Sequence, residues 1–304
     1  MTSASLSPTT KSDFAQFAEM VRTKPIRPPP SASLAGQVAI ITGSNVGIGL
    51  EAARLFLGLQ LSHIIIAVRT VEKGESAVAA LRRAHPNAKI DVWPLDMLSY
   101  ESIQGFAQRC SALLRLDIVI LNAAASNSIF SIDPSTGHEE TFQVNYLSTA
   151  LLAILLLPIL KAKSPSPKPA RLTIVSSGLA LRSKVPNRNA VPLIPSFDDP
   201  SSWNGLSDGG ERYAVTKTLG LILTLKLSQH WSVDDVVVNA VDPGFTAGSM
   251  LHRNLPLFVR LSVRLLATLT GRSLEQAAWT YVDAAAVKGS ECHGSFLMNW
   301  DACP

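Results

Sequence analysis

Cysteine, charge and aromatic rings are all scarce in this sequence. Three cysteines stand among 304 residues, Cys110, Cys292 and Cys303, far apart and in no Cys-x-x-Cys pair. An odd, scattered set makes no disulfide framework, and a reducing compartment is expected. Charged residues are 16% of the chain, and the 27 Lys and Arg form no run of five or six. The net charge of +4 therefore gathers into no basic stripe, and nucleic acid is not an expected partner. The six histidines are dispersed, with no His-Glu-x-x-His and no Cys/His cluster, so no metal site is expected. No basic-then-apolar leader opens the chain, and a cytoplasmic location is expected. The longest apolar run, Leu147 to Leu160, contains Ser148, Thr149 and Pro158. It falls short of the ~20 residues that span a bilayer and reads as a buried core helix, so membrane association is not expected.

What is plentiful is apolar side chain, 47% of the residues. That supports one large core. Val38-Ala39-Ile40-Ile41 is a short apolar run, as in a central strand buried on both faces. Gly43, Gly47 and Gly49 follow, and Leu50 to Phe56 reads as a helix. Glycines at a strand-to-helix turn let a bulky anion approach the backbone, and the helix amides favour negative charge. Gly43, Ser44, Asn45, Gly47, Ile48 and Gly49 are thus candidates to hold the pyrophosphate of a dinucleotide. The alternative is a merely tight turn.

From Gln37 onward strand and helix alternate. Strands are expected at 37–42, 62–68, 89–94, 116–121, 170–175, 235–241 and 294–299, and helices at 47–60, 71–84, 99–114, 136–161, 211–230 and 273–287. This rhythm predicts a single α/β domain, residues 36–304, with a doubly wound parallel sheet. Residues 1–35 form an extension. Phe14, Phe17, Ala18 and Val21 follow helical spacing in it, before Pro25, Pro28, Pro29 and Pro30 make a stiff linker. A strap packed on the domain surface is expected. Two stretches break the rhythm and read as insertions: 181–210, and 245–271. In the second, Leu255, Phe258, Val259, Leu266 and Leu269 make an apolar face and Arg253, Arg260 and Arg264 another. It is read as an amphipathic lid over a lipophilic pocket, with a membrane-surface helix as the alternative.

Tyr213 and Lys217 are four residues apart in an expected helix, so phenol and ammonium share a face. A cation beside a phenol favours the phenolate, and the pair can then exchange a proton with a substrate oxygen. A surface pair is the plainer alternative. Ser177 directly follows an expected strand, where ligands bind in open α/β sheets, and its hydroxyl can hold a carbonyl oxygen. Serines there also serve as turn formers. Asn145 lies mid-helix in an apolar stretch, which implies a specific hydrogen bond, to a ligand or to a buried backbone group.

Thr42-Gly43 to Gly49, Leu121-Asn122-Ala123-Ala124, Asn145, Ser177, Tyr213-x-x-x-Lys217 and Asp242-Pro243-Gly244 come in the order seen in one family. Over about residues 36–299 the chain resembles a short-chain dehydrogenase/reductase. The resemblance implies a Rossmann fold, with Tyr213 as the acid/base, Lys217 lowering its pKa and binding the nicotinamide ribose, and Ser177 polarising the carbonyl. Asn145 would hold a water in a proton relay through Lys217. Asp96 would contact adenine, Asn122 and Ala123 would line the cofactor, and Pro243 and Gly244 would form the turn beside the nicotinamide. Homodimers or homotetramers packed through helices 136–161 and 211–230 are also implied.

The second expected strand ends Ile66-Ala67-Val68-Arg69-Thr70, without the acid that bonds a ribose 2′-hydroxyl in NAD binders. Arg69 can instead fork onto a 2′-phosphate, helped by Lys73, so NADP(H) is expected. Stacking of Arg69 on adenine would fit either cofactor. Two departures from the family pattern stand out. Ala124 replaces its usual glycine, and Gly248 falls where a hydroxyl is usual, leaving Thr246 or Ser249 to meet the carboxamide. Trp203 and Phe197 are weighed as entrance residues against plain packing. Phe245, Met250, Leu251, Leu255 and Phe258 point to an apolar substrate. The expected activity is NADPH-dependent reduction of a lipophilic carbonyl compound, or the reverse, in natural-product biosynthesis. The alternatives are a dehydratase, epimerase or cyclase using Tyr213 as acid/base, and a redox-silent NADP(H)-binding protein.

Overall fold

The structure is a computed structural model that describes residue 3 and residues 11–165, 168–203, 205–249 and 257–303. One eight-stranded sheet runs through it in the order β3-β2-β1-β4-β5-β6-β7-β8. The strands are β1 (Val38–Thr42), β2 (His63–Val68), β3 (Lys89–Pro94), β4 (Ile118–Leu121), β5 (Ala170–Val175), β6 (Val236–Val241), β7 (Phe296–Met298) and β8 (Asp301–Cys303). Every pairing is parallel except β7 with β8. β-Branched residues fill the central strands, and β1, β4 and β6 are buried along their whole length, as a sheet covered on both faces requires. The doubly wound α/β fold is as expected from the alternation.

One layer of helices holds α2 (Gly47–Gly58), α3 (Val71–Ala84) and α9 (Leu274–Val282). Phe56, Leu57, Ala278 and Tyr281 pack in it against β1 and β2 residues such as Ile41 and Ile66. The other layer holds α4 (Tyr100–Ser111), α6 (Thr149–Lys163) and α7 (Leu206–His230). Phe106, Leu152, Leu156, Leu157 and Leu160 pack there against Ile40, Val119 and Leu172. Each such side chain contributes about 1.5–3 kcal/mol through burial. The run from Leu147 to Leu160 is thus a core helix, although Glu140–Lys163 is long and apolar enough to cross a membrane.

The chain runs from β1 outward to β3, then returns to β4 beside β1. The two directions part between β1 and β4, so a crevice opens at their C-terminal ends.

Several bounds differ from expectation. The helix expected at 136–161 begins with α5 (Glu140–Phe142), capped by the Glu139 carboxylate, and passes through a π-helical turn at Gln143–Ser148 before α6. α7 begins at Leu206, not 211. The excursion before it holds short 3-10 turns at Gly178–Arg182, Ile194–Phe197 and Pro200–Ser202. In the extension, α1 (Asp13–Arg22) forms where the spacing predicted a helix. The second insertion contains α8 (Leu257–Thr270). Met250, Leu251, Arg253 and Leu255 lie outside the described residues.

Candidate active site

A cavity of about 1070 Å³ opens at the C-terminal ends of the strands, over the β1/β4 crevice. Its floor at one end is the glycine turn. Gly43 has φ +65°, and a Cβ there would lie 2.9 Å from the Ala123 Cα, so only glycine lets β1 and β4 approach. A Cβ on Gly49 would lie 2.7 Å from the Asn122 amide nitrogen. Gly47, at φ +61°, has no atom within 4 Å of the Cβ it lacks. It opens α2, and no side chain caps that helix. Uncapped amides beside open space suit an anion. Gly43, Asn45, Gly47, Ile48 and Gly49 line the cavity. Ser44 does not: it is fully buried and donates to the Ile41 carbonyl at 2.7 Å, which corrects its expected place among the phosphate contacts. Val46 lines the cavity instead, unforeseen.

Asn122 ties the two central strands. Its backbone N–H donates to the Thr42 hydroxyl at 2.9 Å, and its side-chain amide to the Thr42 carbonyl at 2.8 Å. It also accepts from the Tyr281 hydroxyl at 2.8 Å. Tyr281 was not anticipated; an aromatic in a helix reads as core. Ala123 and Ala124 line the cavity next to it. At the far end stand Arg69 and Lys73, just past β2, with Asp96 past β3, its carboxylate accepting from the Leu98 N–H at 3.0 Å.

Ser177, Tyr213 and Lys217 all face the cavity, from the end of β5 and from α7. The Ser177 hydroxyl lies near enough to the Tyr213 phenol to draw its pKa down. Ser176 borders the cavity too, but its hydroxyl donates to the Lys217 carbonyl at 3.4 Å. The Lys217 Nζ donates to the Val175 carbonyl at 2.8 Å and lies 5.5 Å from the Tyr213 ring centre. Burial and then the nearby Asp242 carboxylate push the Tyr213 pKa above its ordinary value, against the pull of the Ser177 hydroxyl. This corrects the expectation of a phenol acidified by its lysine: desolvation wins. Burial also pulls the Lys217 pKa down to about 8.

Asn145 sits in the π turn. Its amide donates to the Ala125 carbonyl at 2.9 Å and to the Thr216 hydroxyl at 3.1 Å, and accepts from the Ala125 N–H at 2.8 Å. It therefore satisfies buried groups. It also bounds, with Thr216 and Lys217, a void of about 10 Å³, close to the smallest space that holds one water. The Pro243–Gly244 turn borders the cavity too, with Gly244 at φ +79°. The Thr246 hydroxyl donates back to the Gly244 carbonyl at 2.9 Å, and both Thr246 and Ser249 line the cavity.

A family sequence model described as short chain dehydrogenase matches residues 37–188. The chain belongs to the short-chain dehydrogenase/reductase family. Short chain dehydrogenase/reductase mfmJ of Annulohypoxylon moriforme is 50% identical over 289 residues, covering 95% of this chain and 83% of that one. Short chain dehydrogenase virL of Hypocrea virens is 42% identical over 293 residues, covering 95% and 83%. The dehydrogenase is accordingly an oxidoreductase of a family that uses nicotinamide cofactors. Two solved structures share its fold. The RhlG/NADP active-site complex of Pseudomonas aeruginosa has TM-score 0.64 at 21% identity, covering 88% of this chain and 96% of that one. L-Sorbose reductase of Gluconobacter frateurii, complexed with NADPH and L-sorbose, has TM-score 0.63 at 20% identity, covering 88% and 95%.

The dehydrogenase closes the other end of its cavity with residues outside the matched segment. Gln16, Phe17 and Met20 of α1 line it. The Phe17 and Phe245 rings lie 6.2 Å apart, and the Phe245 N–H donates to the Met20 sulfur at 3.1 Å. The extension is thus part of the cavity wall rather than only a surface strap. α8 contributes Val263 and Leu266, but Leu257, Phe258, Leu261, Leu265 and Leu269 are exposed, so most of its apolar face does not cover the pocket. Phe197 stacks on Phe142 at 4.1 Å, and Trp203 packs edge-on against Phe130 at 5.8 Å; both are packing residues outside the cavity lining.

Proposed function

We propose that this dehydrogenase transfers a hydride between NADP(H) and the carbonyl carbon of a lipophilic small molecule, with Tyr213 moving the proton at the substrate oxygen. The observation that carries this is that Ser177, Tyr213 and Lys217 line one cavity, the same cavity that the glycine turn opens onto. The residues fit a dinucleotide: open space at Gly47, the uncapped start of α2, and Arg69 with Lys73 past the end of β2. Two cations there, and no acid at the strand end, favour a 2′-phosphate and hence NADP(H). Bound there, the nicotinamide supplies or takes the hydride. Ser177 donates to the carbonyl oxygen and holds it. Tyr213, kept protonated by burial, is suited to give that oxygen a proton. Lys217, with its pKa near 8, can pass a proton at neutral pH toward the void it shares with Asn145. Phe17, Met20, Phe245, Val263 and Leu266 make the substrate end apolar, as a lipophilic natural-product intermediate requires.

The test follows NADPH absorbance with a panel of apolar ketones, for the protein and for Tyr213→Phe. Oxidation of NADPH that vanishes in the variant is expected. Product formed without NADPH oxidation would mean acid/base chemistry alone. Tight NADPH binding with no product from any ketone would mean a redox-silent binder.

A further inference from the structure

The outer face of α8 has no part in the proposed chemistry. The inner side of the helix packs on the chain: Ala267 is buried, and Val263 and Leu266 line the catalytic cavity. Leu257, Phe258, Leu261, Leu265 and Leu269 recur at i, i+1, i+4, i+8 and i+12, so they share the opposite face. All five are exposed, Phe258 to 80% and Leu269 to 74%. Single exposed leucines are ordinary on a protein surface. A continuous apolar stripe along a helix marks an interaction surface.

Charge narrows what covers this face. Arg260 and Arg264, four residues apart and both exposed, run along one flank of the stripe. No aspartate or glutamate occurs from 243 to 274. A second copy of this chain, docked face to face, would set the basic flank against an equally acid-free surface. The extension repeats the pattern. Phe14, Val21 and Ile26 are exposed there, near exposed Arg22, Lys24 and Arg27, and the Glu19 carboxylate is paired with Lys11 at 2.7 Å. The two elements meet at Phe245. Its ring lies 6.2 Å from that of Phe17 on α1, and its carbonyl accepts from the Arg272 N–H at 2.8 Å, just past the end of α8. Both therefore border the apolar end of the cavity.

We propose that the outer face of α8, with the adjoining extension, docks on a lipid membrane surface that carries negative charge. The leucine stripe and Phe258 enter the headgroup boundary, and Arg260 and Arg264 meet anionic headgroups, as in an amphipathic helix lying in the interface. Such a helix needs no spanning run, so the expectation against membrane association, which concerns insertion, does not bear on it. Val263 and Leu266 stand in the cavity wall on the other side of the same helix. Docking therefore brings the apolar end of the cavity beside the lipid, where an apolar carbonyl compound partitions. That last consequence rests on the proposed function; the docking itself does not.

Co-sedimentation of the whole chain with vesicles tests this without substrate or cofactor. Binding to vesicles of phosphatidylcholine with phosphatidylserine should be about tenfold tighter than to phosphatidylcholine alone, and should weaken as salt is added. Leu261→Glu/Leu265→Glu should weaken binding to the mixed vesicles by about tenfold or more. Arg260→Gln/Arg264→Gln should instead lose the preference for the anionic vesicles. All four side chains are exposed, and an unchanged urea midpoint confirms that each variant folds. Should the glutamates disturb α8 itself, Leu261→Ser/Leu265→Ser carries the same reading. No vesicle binding by the parent, or binding that survives the loss of both leucines, overturns the proposal. So does a dimer that Leu261→Glu/Leu265→Glu dissociates in analytical ultracentrifugation while vesicles bind nothing, which would give the face to a second copy. A chain that binds vesicles and reduces no ketone would sink the proposed function and leave the docking standing.

Discussion

The Lys217 ammonium donates to the Val175 carbonyl at 2.8 Å, across the gap between α7 and the end of β5. That bond aims the lysine at the sheet and away from solvent. Its pKa falls from 10.5 to about 8 because burial disfavours the charged form. Below about pH 8 the folded chain carries this buried charge at full cost. Between about pH 8 and 10.5 the unfolded chain binds a proton that the folded chain does not, so stability rises with pH. The rise should be roughly 3 kcal/mol over the whole window. It should appear as a rise of the parent's urea midpoint relative to that of Lys217→Met as the pH passes through this window. A flat difference would show that the lysine is solvated.

Arg69 stands past the end of β2 with no acid at that strand end. Arg69→Gln should weaken NADPH binding by roughly 10- to 100-fold, the loss of one charge-assisted hydrogen bond. NADH binding should be almost unaffected. Calorimetric titration with both dinucleotides decides between a 2′-phosphate fork and stacking on adenine, which would weaken both equally.

Much of this architecture is readable from residue pattern. The runs Ile64-Ile65-Ile66 and Val236-Val237-Val238 can hardly be anything but buried strands, and the glycine turn and the Tyr213–Lys217 spacing are local. What escaped depends on distant neighbours. β8, at Asp301–Cys303, is short, antiparallel and free of β-branched residues. The start of α7 is disguised by Gly209 and Gly210, although the Asp208 carboxylate accepts from the Gly205 N–H and caps it. Sequence spacing shows that an ammonium lies near the phenol, but not that burial outweighs it. The inward turn of Ser44 and the exposed face of α8 are likewise matters of packing.

Gly43 and Gly105 should respond oppositely to alanine. Gly43→Ala places a Cβ against the Ala123 backbone at positive φ. It should cost about 1–3 kcal/mol and abolish NADPH binding. Gly105 lies within α4 with nothing near its missing Cβ. Gly105→Ala should therefore stabilise by about 0.5–1 kcal/mol. Urea denaturation measures both.

The α1 helix lies outside the family-matched segment, yet Phe17 and Met20 touch the Phe245 loop. Phe17→Ser should raise KM for apolar ketones by about tenfold through lost apolar contact. The Kd for NADPH should stay the same. A parallel loss of NADPH affinity would mean that α1 supports the whole cleft rather than its substrate end.

The central claim is hydride delivery to a carbonyl carbon with the proton supplied by Tyr213. Incubating the protein with a reducible ketone and NADPH deuterated at the transferable C4 position tests it most directly. Deuterium should appear on the carbinol carbon of the product, at one deuterium per NADPH oxidised, and Tyr213→Phe should slow that transfer by about 100- to 10,000-fold. An alcohol free of deuterium, or transfer as fast in Tyr213→Phe as in the parent, would contradict the account.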